Sequence, residues 1–338
     1  VLEPECLMMS FLFDYGLFLA KALTVALCIL LVVATAAAGK RRHGDDDDKM
    51  VIRSLNEHYE QQRERLNAEL LDKKTLKAQH KAQKKAAKHE GEHHKPRIFV
   101  LDFDGDIEAS VVEQLREQIS AVIQVAGTED RVLLRLESGG GLVHAYGLAA
   151  SQLARLRERQ IPLVIAVDKI AASGGYMMAC LANELIAAPF AILGSVGVIG
   201  ALPNFNELLQ QYRIRYEEHT AGEHKRSLTL FGENTDADRQ QFRHELAVTH
   251  DLFKNHIRRY RPQLDIDAIA TGETWYGVQA VENRLIDAVG TSDDYILAHL
   301  QSHQLVQLEE HIPERWLDKI KHRILSKIQA RPLKARIR

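Results

Sequence analysis

The chain has 338 residues, 46% of them hydrophobic and 27% charged, with a formal net charge of −2. That length holds one large domain or two small ones, and the near-neutral balance gives no pull toward nucleic acid or strongly acidic partners. Three scattered cysteines, Cys6, Cys28 and Cys180, supply neither a disulfide framework nor zinc-like spacing, so no metal or other cofactor is indicated.

Residues 11–38 are almost wholly apolar, interrupted by Asp14 and Lys21. The clean run from Ala22 to Ala38 is at the short end for a bilayer span, but Lys21 can snorkel and the preceding Tyr15-Gly16-Leu17-Phe18-Leu19-Ala20 extends the helix. Ala36-Ala37-Ala38 before Gly39 also reads as a signal-peptide cleavage site. The flank before the apolar run is acidic (Glu3, Glu5, Asp14) rather than basic, which favours an uncleaved single-pass anchor. Lys40-Arg41-Arg42 follow, and the positive-inside rule puts that side of the helix in the cytoplasm. Residues 39–95 read as a charged helical stalk. Leu55, Tyr59, Leu66, Leu70 and Leu71 form a thin apolar stripe, a lysine-rich stretch runs from Lys73 to Lys88, and a polar linker closes the segment.

A globular domain is expected over residues 96–300. Arg97 to Phe103, Arg131 to Glu137 and Pro162 to Asp168 read as strands, with helical spacing over 110–125 and 142–159 between them. Strands alternating with helices imply βαβ units and a mainly parallel sheet in an α/β fold. Leu185 to Ala188 and Ile214 to Glu218 are strand-like, and Asp236 to Arg261 is a long helix ending before Pro262. In the last segment, 301–338, Trp316, Leu317, Ile320, Ile324 and Ile328 share one helical face opposite a basic one. That pattern suits either an anionic lipid surface or another subunit.

Three glycine turns carry the chemistry. The apolar strand ending at Ala172 runs into Ser173-Gly174-Gly175 and then an apolar helix, a geometry that exposes a nucleophile beside free backbone N–H groups. Ser138-Gly139-Gly140-Gly141 is a second strand–turn–helix junction, whose amides suit an oxyanion hole. Gly194-Ser195-Val196-Gly197 is the third, and places Ser195 as a hydrogen-bond partner for a lysine amine. Lys225 lies on a further turn, His219-Thr220-Ala221-Gly222-Glu223-His224-Lys225. A lysine is a poor base in water, with a reference value near ~10.4, but desolvation disfavours its ammonium form and lets it accept a serine proton. The flanking His219 and His224 read as exposed loop residues.

Ala171-Ala172-Ser173-Gly174-Gly175-Tyr176, Gly194-Ser195-Val196-Gly197-Val198 and Thr220-Ala221-Gly222-Glu223-His224-Lys225-Arg226 together resemble peptidase family S49, the signal peptide peptidase A group. The resemblance implies a Clp protease/crotonase-like domain with Ser173 as nucleophile, Lys225 as general base and Ser195 orienting the lysine. It implies Gly140 and Gly174 as oxyanion donors. One departure is visible: the family's usual Ser-Pro-Gly-Gly is here Ser138-Gly139-Gly140-Gly141, which removes a proline that would stiffen the turn.

These readings lead us to expect a membrane-anchored serine endopeptidase of the bacterial inner membrane that acts on peptides or unfolded, membrane-derived segments. Its partners would be those substrates and the lipid bilayer, with no nucleic acid, and copies of it would assemble into a homo-oligomeric ring. An acyl-CoA enzyme on the same fold and a non-catalytic membrane scaffold are the alternatives. The face of the membrane that holds the catalytic domain stays open, because a role in clearing signal peptides suits either side.

Overall fold

Strict alternation of side chains decides the sheet. In β2 (Arg97–Gly105) Phe99, Leu101 and Phe103 enter the larger core, while Ile98 and Val100 enter a smaller one on the other face. In β3 (Arg131–Ser138) Val132, Leu134 and Leu136 oppose Leu133 in the same way. The computed structural model describes residues 15–29, 50–72, 74–76, 95–222 and 225–309.

The remaining strands are β1 (Val51–Ser54), β4 (Leu163–Val167), β5 (Ile170–Ala172), β6 (Glu184–Ala187), β7 (Ile192–Gly194), β8 (Thr274–Tyr276), β9 (Ala288–Val289) and β10 (Gln304–Glu309). Their main path is β1-β10-β2-β3-β4-β6-β9, with β5, β7 and β8 branching from β3. Every pairing is parallel except β1–β10 and β7–β8. The helices that matter here are α1 (Leu55–Leu70), α2 (Val112–Val125), α3 (Val143–Glu158), α4 (Gly174–Ala179), α5 (Asn206–Gln211), α6 (Asp236–Tyr260), α7 (Ile266–Ile269), α8 (Gly277–Glu282) and α9 (Ser292–His299). The larger core takes Leu115, Ile119 and Val122 from α2 and Tyr146, Leu153 and Leu156 from α3. The smaller core takes Leu55 from α1 and Tyr295 and Ile296 from α9. This mixed α/β architecture with a mostly parallel sheet fits a Clp protease/crotonase-like fold.

The sheet reaches past the 96–300 span at both ends. Residues 50–70, expected as part of a solvated stalk, begin with a strand paired to β10 and continue as a helix capped by the Ser54 hydroxyl. Asn56 explains the attachment. Its Nδ2 donates to the Leu300 and His303 carbonyls, both at 3.0 Å, and its Oδ1 accepts the Leu305 N–H at 2.7 Å. β10, beyond residue 300, then lies between β1 and β2. Ile214 to Glu218 forms no strand: the stretch is exposed, and Glu218 instead accepts the Tyr216 hydroxyl and the Arg226 guanidinium, each at 2.7 Å.

Within the expected anchor, residues 15–29 are helical, and the rest of 11–38 lies outside the described residues. Among the described residues no helix is long and apolar enough to cross a membrane. The lysine-rich stretch and its linker, apart from 74–76 and Lys95, and the basic amphipathic segment after Glu309 also lie outside them.

Asp130 locks the start of the sheet. It accepts the Arg97 N–H at 2.7 Å, the Gly127 N–H at 2.7 Å and the Arg97 guanidinium through Nε at 3.0 Å and Nη2 at 2.6 Å. Burial alone would raise the Asp130 carboxyl, but Arg97 and the backbone donors outweigh it and hold it below the usual carboxylate range. Its stabilisation is therefore present above the ordinary carboxylate value and is lost as pH falls through the lowered one. Asp130→Asn is expected to cost about 2–3 kcal/mol, seen as a fall of roughly 5–10 °C in melting temperature at pH 7. That difference should shrink below about pH 4.

Candidate active site

The site arises where β3 changes partner. Val132 to Arg135 pair with Leu163 to Ala166 of β4, but Ser138 at the end of β3 pairs with Ala171 of β5. The turn leaving β3 is thus brought against the turn leaving β5, which carries Ser173.

Ser173 sits at φ 51° and ψ −116°, a region costly for any residue with a Cβ, by about 1–3 kcal/mol, and populated mainly at functional sites. Its N–H donates to the Gly194 carbonyl at 2.8 Å and its carbonyl accepts the Met177 N–H at 2.9 Å, so both sides of the elbow are tied. The side chain is half-buried at the start of α4, all six residues of which are buried. Among the described residues the Gly174 N–H has no acceptor, leaving it available at the helix start.

Gly140 meets this elbow backbone to backbone. A Cβ built on it would lie 2.6 Å from the Gly174 nitrogen and 2.8 Å from the Ser173 Cβ, and its φ of +86° is itself a glycine conformation. Its N–H donates to Ser138 Oγ at 3.0 Å. Gly174 is as tightly confined, since a Cβ there would lie 2.4 Å from the Tyr146 Cγ. The structure therefore brings Ser173, Gly174 and Gly140 together.

Ser195 joins them from β7. Ala172 pairs with Gly194, so Ser173 and Ser195 leave neighbouring parallel strands side by side, with φ of 51° and 50°. The Ser195 N–H donates to the Glu273 carbonyl at 2.6 Å, and the Trp275 ring packs against Gly194. This segment seats Ser195, and no motif in the chain pointed to it. Ser138 and Tyr146 were missed as well: Ser138 opens a glycine turn and Tyr146 falls in the helical stretch 142–159, but only the paired turns reveal what their hydroxyls hold.

Lys225 is not brought into contact with the serines. It is exposed, its N–H closes a turn on the Gly222 carbonyl at 3.2 Å, and its ammonium has no hydrogen-bond or ion-pair partner among the described residues. The neighbouring Arg226 is engaged with Glu218. His219 is exposed, and His224 lies outside the described residues.

A cleft of about 260 Å³ lies elsewhere, on the other face of β2, β3 and β4, lined by Asp102, Asp104, Arg135, Glu137, Asp168 and Lys169. Arg135 pairs there with Asp102 and Lys169 with Glu137, Asp168 accepts from Ser292, and the cleft does not include Ser173. Behind α4, the Met177 carbonyl accepts the His256 imidazole at 3.0 Å and the Cys180 thiol at 3.3 Å. Burial pushes the Cys180 thiol far up, which leaves it inert.

Comparison with known proteins gives the chain its relatives. The sequence model described as Peptidase family S49 N-terminal matches residues 10–153, and the one described as Peptidase family S49 matches residues 155–306. The chain is 44% identical over 319 residues to the probable protease SohB of Haemophilus influenzae, covering 90% of each chain. It is 42% identical over 317 residues to the putative protease SohB of Buchnera aphidicola subsp. Baizongia pistaciae, covering 89% of this chain and 91% of the relative. Protease 4 of Salmonella typhi is 27% identical over 167 residues, which is 49% of this chain and 27% of that protein.

Two outcomes follow from the geometry. Gly140→Ala is strained in both torsion and space, so it is expected to abolish turnover and to lower the melting temperature by several degrees. Burial lowers the His256 imidazole below its ordinary value of 6.5, outweighing the Met177 carbonyl, which raises it. The folded chain therefore holds His256 neutral, and stability present above that ordinary value is lost as pH falls through the lowered one. Melting temperature should drop between pH 7 and pH 5, and His256→Gln should flatten that slope.

Proposed function

The chain belongs to peptidase family S49, and from that premise we propose that it is a membrane-anchored serine endopeptidase working through a Ser173–Lys225 dyad. The observation that carries the reading is the strained Ser173 elbow, with the Gly140 backbone seated directly against it and an unclaimed N–H on Gly174. Strained torsions of this kind concentrate at functional sites, and a half-buried hydroxyl beside the unclaimed Gly174 N–H and the Gly140 turn is the arrangement acyl transfer requires.

In this reading the Ser173 hydroxyl attacks the peptide carbonyl carbon while the neutral Lys225 amine takes its proton. The tetrahedral oxyanion is held by the Gly174 N–H and by the Gly140 N–H, which is shared between Ser138 Oγ and the anion, the stronger acceptor. Collapse expels the amine, which leaves with the proton from lysine, and water then hydrolyses the acyl-enzyme by the same route. Ser195, beside Ser173, orients the lysine amine. The reading requires Lys225 to come within hydrogen-bond reach of Ser173 when the site is covered, by substrate and by neighbouring copies in a ring. Covering also removes water, which favours the neutral amine. The apolar composition of residues 11–38 supports that segment as the anchor, and the substrates in this reading are peptides or unfolded, membrane-derived segments.

The test compares the full chain with Ser173→Ala and Lys225→Ala on unfolded casein, with intact-mass analysis after a fluorophosphonate. Each substitution is expected to lower cleavage by at least about a thousandfold, and the adduct should map to Ser173. Undiminished cleavage by Lys225→Ala would assign the base elsewhere. A parent chain that neither cleaves nor labels would be a scaffold.

A further inference from the structure

Both amide-bearing turns touch one side chain that the mechanism does not use. Tyr146 is fully buried on α3, and its ring is the wall against which Gly174 lies. Its hydroxyl makes a short hydrogen bond with Ser138 Oγ and donates to the Asp106 carbonyl at 2.6 Å. Ser138 Oγ in turn accepts the Gly140 N–H at 3.0 Å and donates to the Gly105 carbonyl at 3.1 Å.

Two hydroxyl protons serve three contacts here: Tyr146 with the Asp106 carbonyl, Ser138 with the Gly105 carbonyl, and the two hydroxyls with each other. Whichever way the shared contact is donated, the Ser138 oxygen keeps a lone pair for the Gly140 N–H. Such aligned bonds polarise one another. Burial, the largest influence, raises the Tyr146 hydroxyl and keeps it a donor across the working pH range. The turn it steadies is Gly139-Gly140-Gly141, which has no proline to limit its torsions.

We propose that Tyr146 is a positioning residue for acyl transfer at Ser173, holding the Gly140 and Gly174 amides in one register through its hydroxyl chain and its ring. The inference rests on the serine-peptidase reading above. A poorly placed donor weakens binding of the oxyanion but not of the ground-state peptide, so the effect belongs in kcat.

The test uses the full chain and a quenched fluorogenic peptide that it cleaves, with Tyr146→Phe, Ser138→Ala, the double variant and Ser173→Ala. Tyr146→Phe keeps the ring against Gly174 and removes only the hydroxyl. It is expected to lower kcat about tenfold with KM within about twofold, the loss of one well-placed hydrogen bond. A peptide aldehyde, which binds as a tetrahedral oxyanion adduct, should weaken by the same factor while the cleaved product peptide binds unchanged. The double variant should match the weaker single variant, because both break one chain. An unchanged kcat, equal weakening of aldehyde and product, or additive losses would overturn the proposal. Ser173→Ala separates the two claims: if it still turns over, the serine reading falls and takes this inference with it. If it is inactive while Tyr146→Phe is as fast as the parent, only the inference falls. Should Tyr146→Phe melt below the assay temperature, Ser138→Ala decides by the same readouts.

Discussion

The site depends on a contact between two backbones with no side chain between them. Gly140 sits so close to Ser173 and Gly174 that any Cβ would displace them. That approach exists because β3 pairs with β4 for most of its length and with β5 at Ser138, which steers two strand ends into each other. Parallel strands all present their C-terminal ends on one side, where loops can gather functional groups on a rigid base. Here the rigid base is the Phe99–Leu101–Phe103 face of β2 with the matching residues of β3, packed under α2 and α3.

Strain at Ser173 is tolerable because its surroundings over-determine it. Its N–H and carbonyl are both engaged, its successor glycine is pressed on Tyr146, and Ser195 adopts the same φ on the neighbouring strand. The Glu273 carbonyl and the Trp275 ring secure that second turn from β8 and the residues leading into it. Two serines are thus placed by one register, Ala172 opposite Gly194, and a slip of one residue would separate them.

Lys225 stands apart from this rigid assembly. It lies in the exposed stretch after α5, where Tyr216 and Phe231 make a small aromatic cluster with Phe205 from the start of α5 and the Arg226–Glu218 pair ties the turn. Such a stretch has few buried contacts compared with β3 or α4, and stability in proteins is lowest in elements of that kind.

Much of the frame was legible in the chain itself. Short apolar runs in 97–103 and 131–137, helical spacing over 110–125 and 142–159, and the long helix from Asp236 all correspond to elements of the structure, because a strand buried on both faces reads as an apolar run and helical spacing reports which face is buried. The serine turns were legible for the same reason: glycines beside Ser173, Ser138 and Ser195 mark places where torsion or space forbids a side chain. Ile214 to Glu218 misled because alternation without a partner strand does not make a ladder. β1 and β10 were not visible as members of the sheet, since their pairing spans about the whole domain and leaves no local trace. The sequence by itself determined the central strands and helices, the family and the candidate nucleophile. Only the tertiary structure decided that Gly140 meets Gly174 over Tyr146 and that Ser195 lies beside Ser173, because those contacts come from strand register and sheet branching rather than from any spacing along the chain.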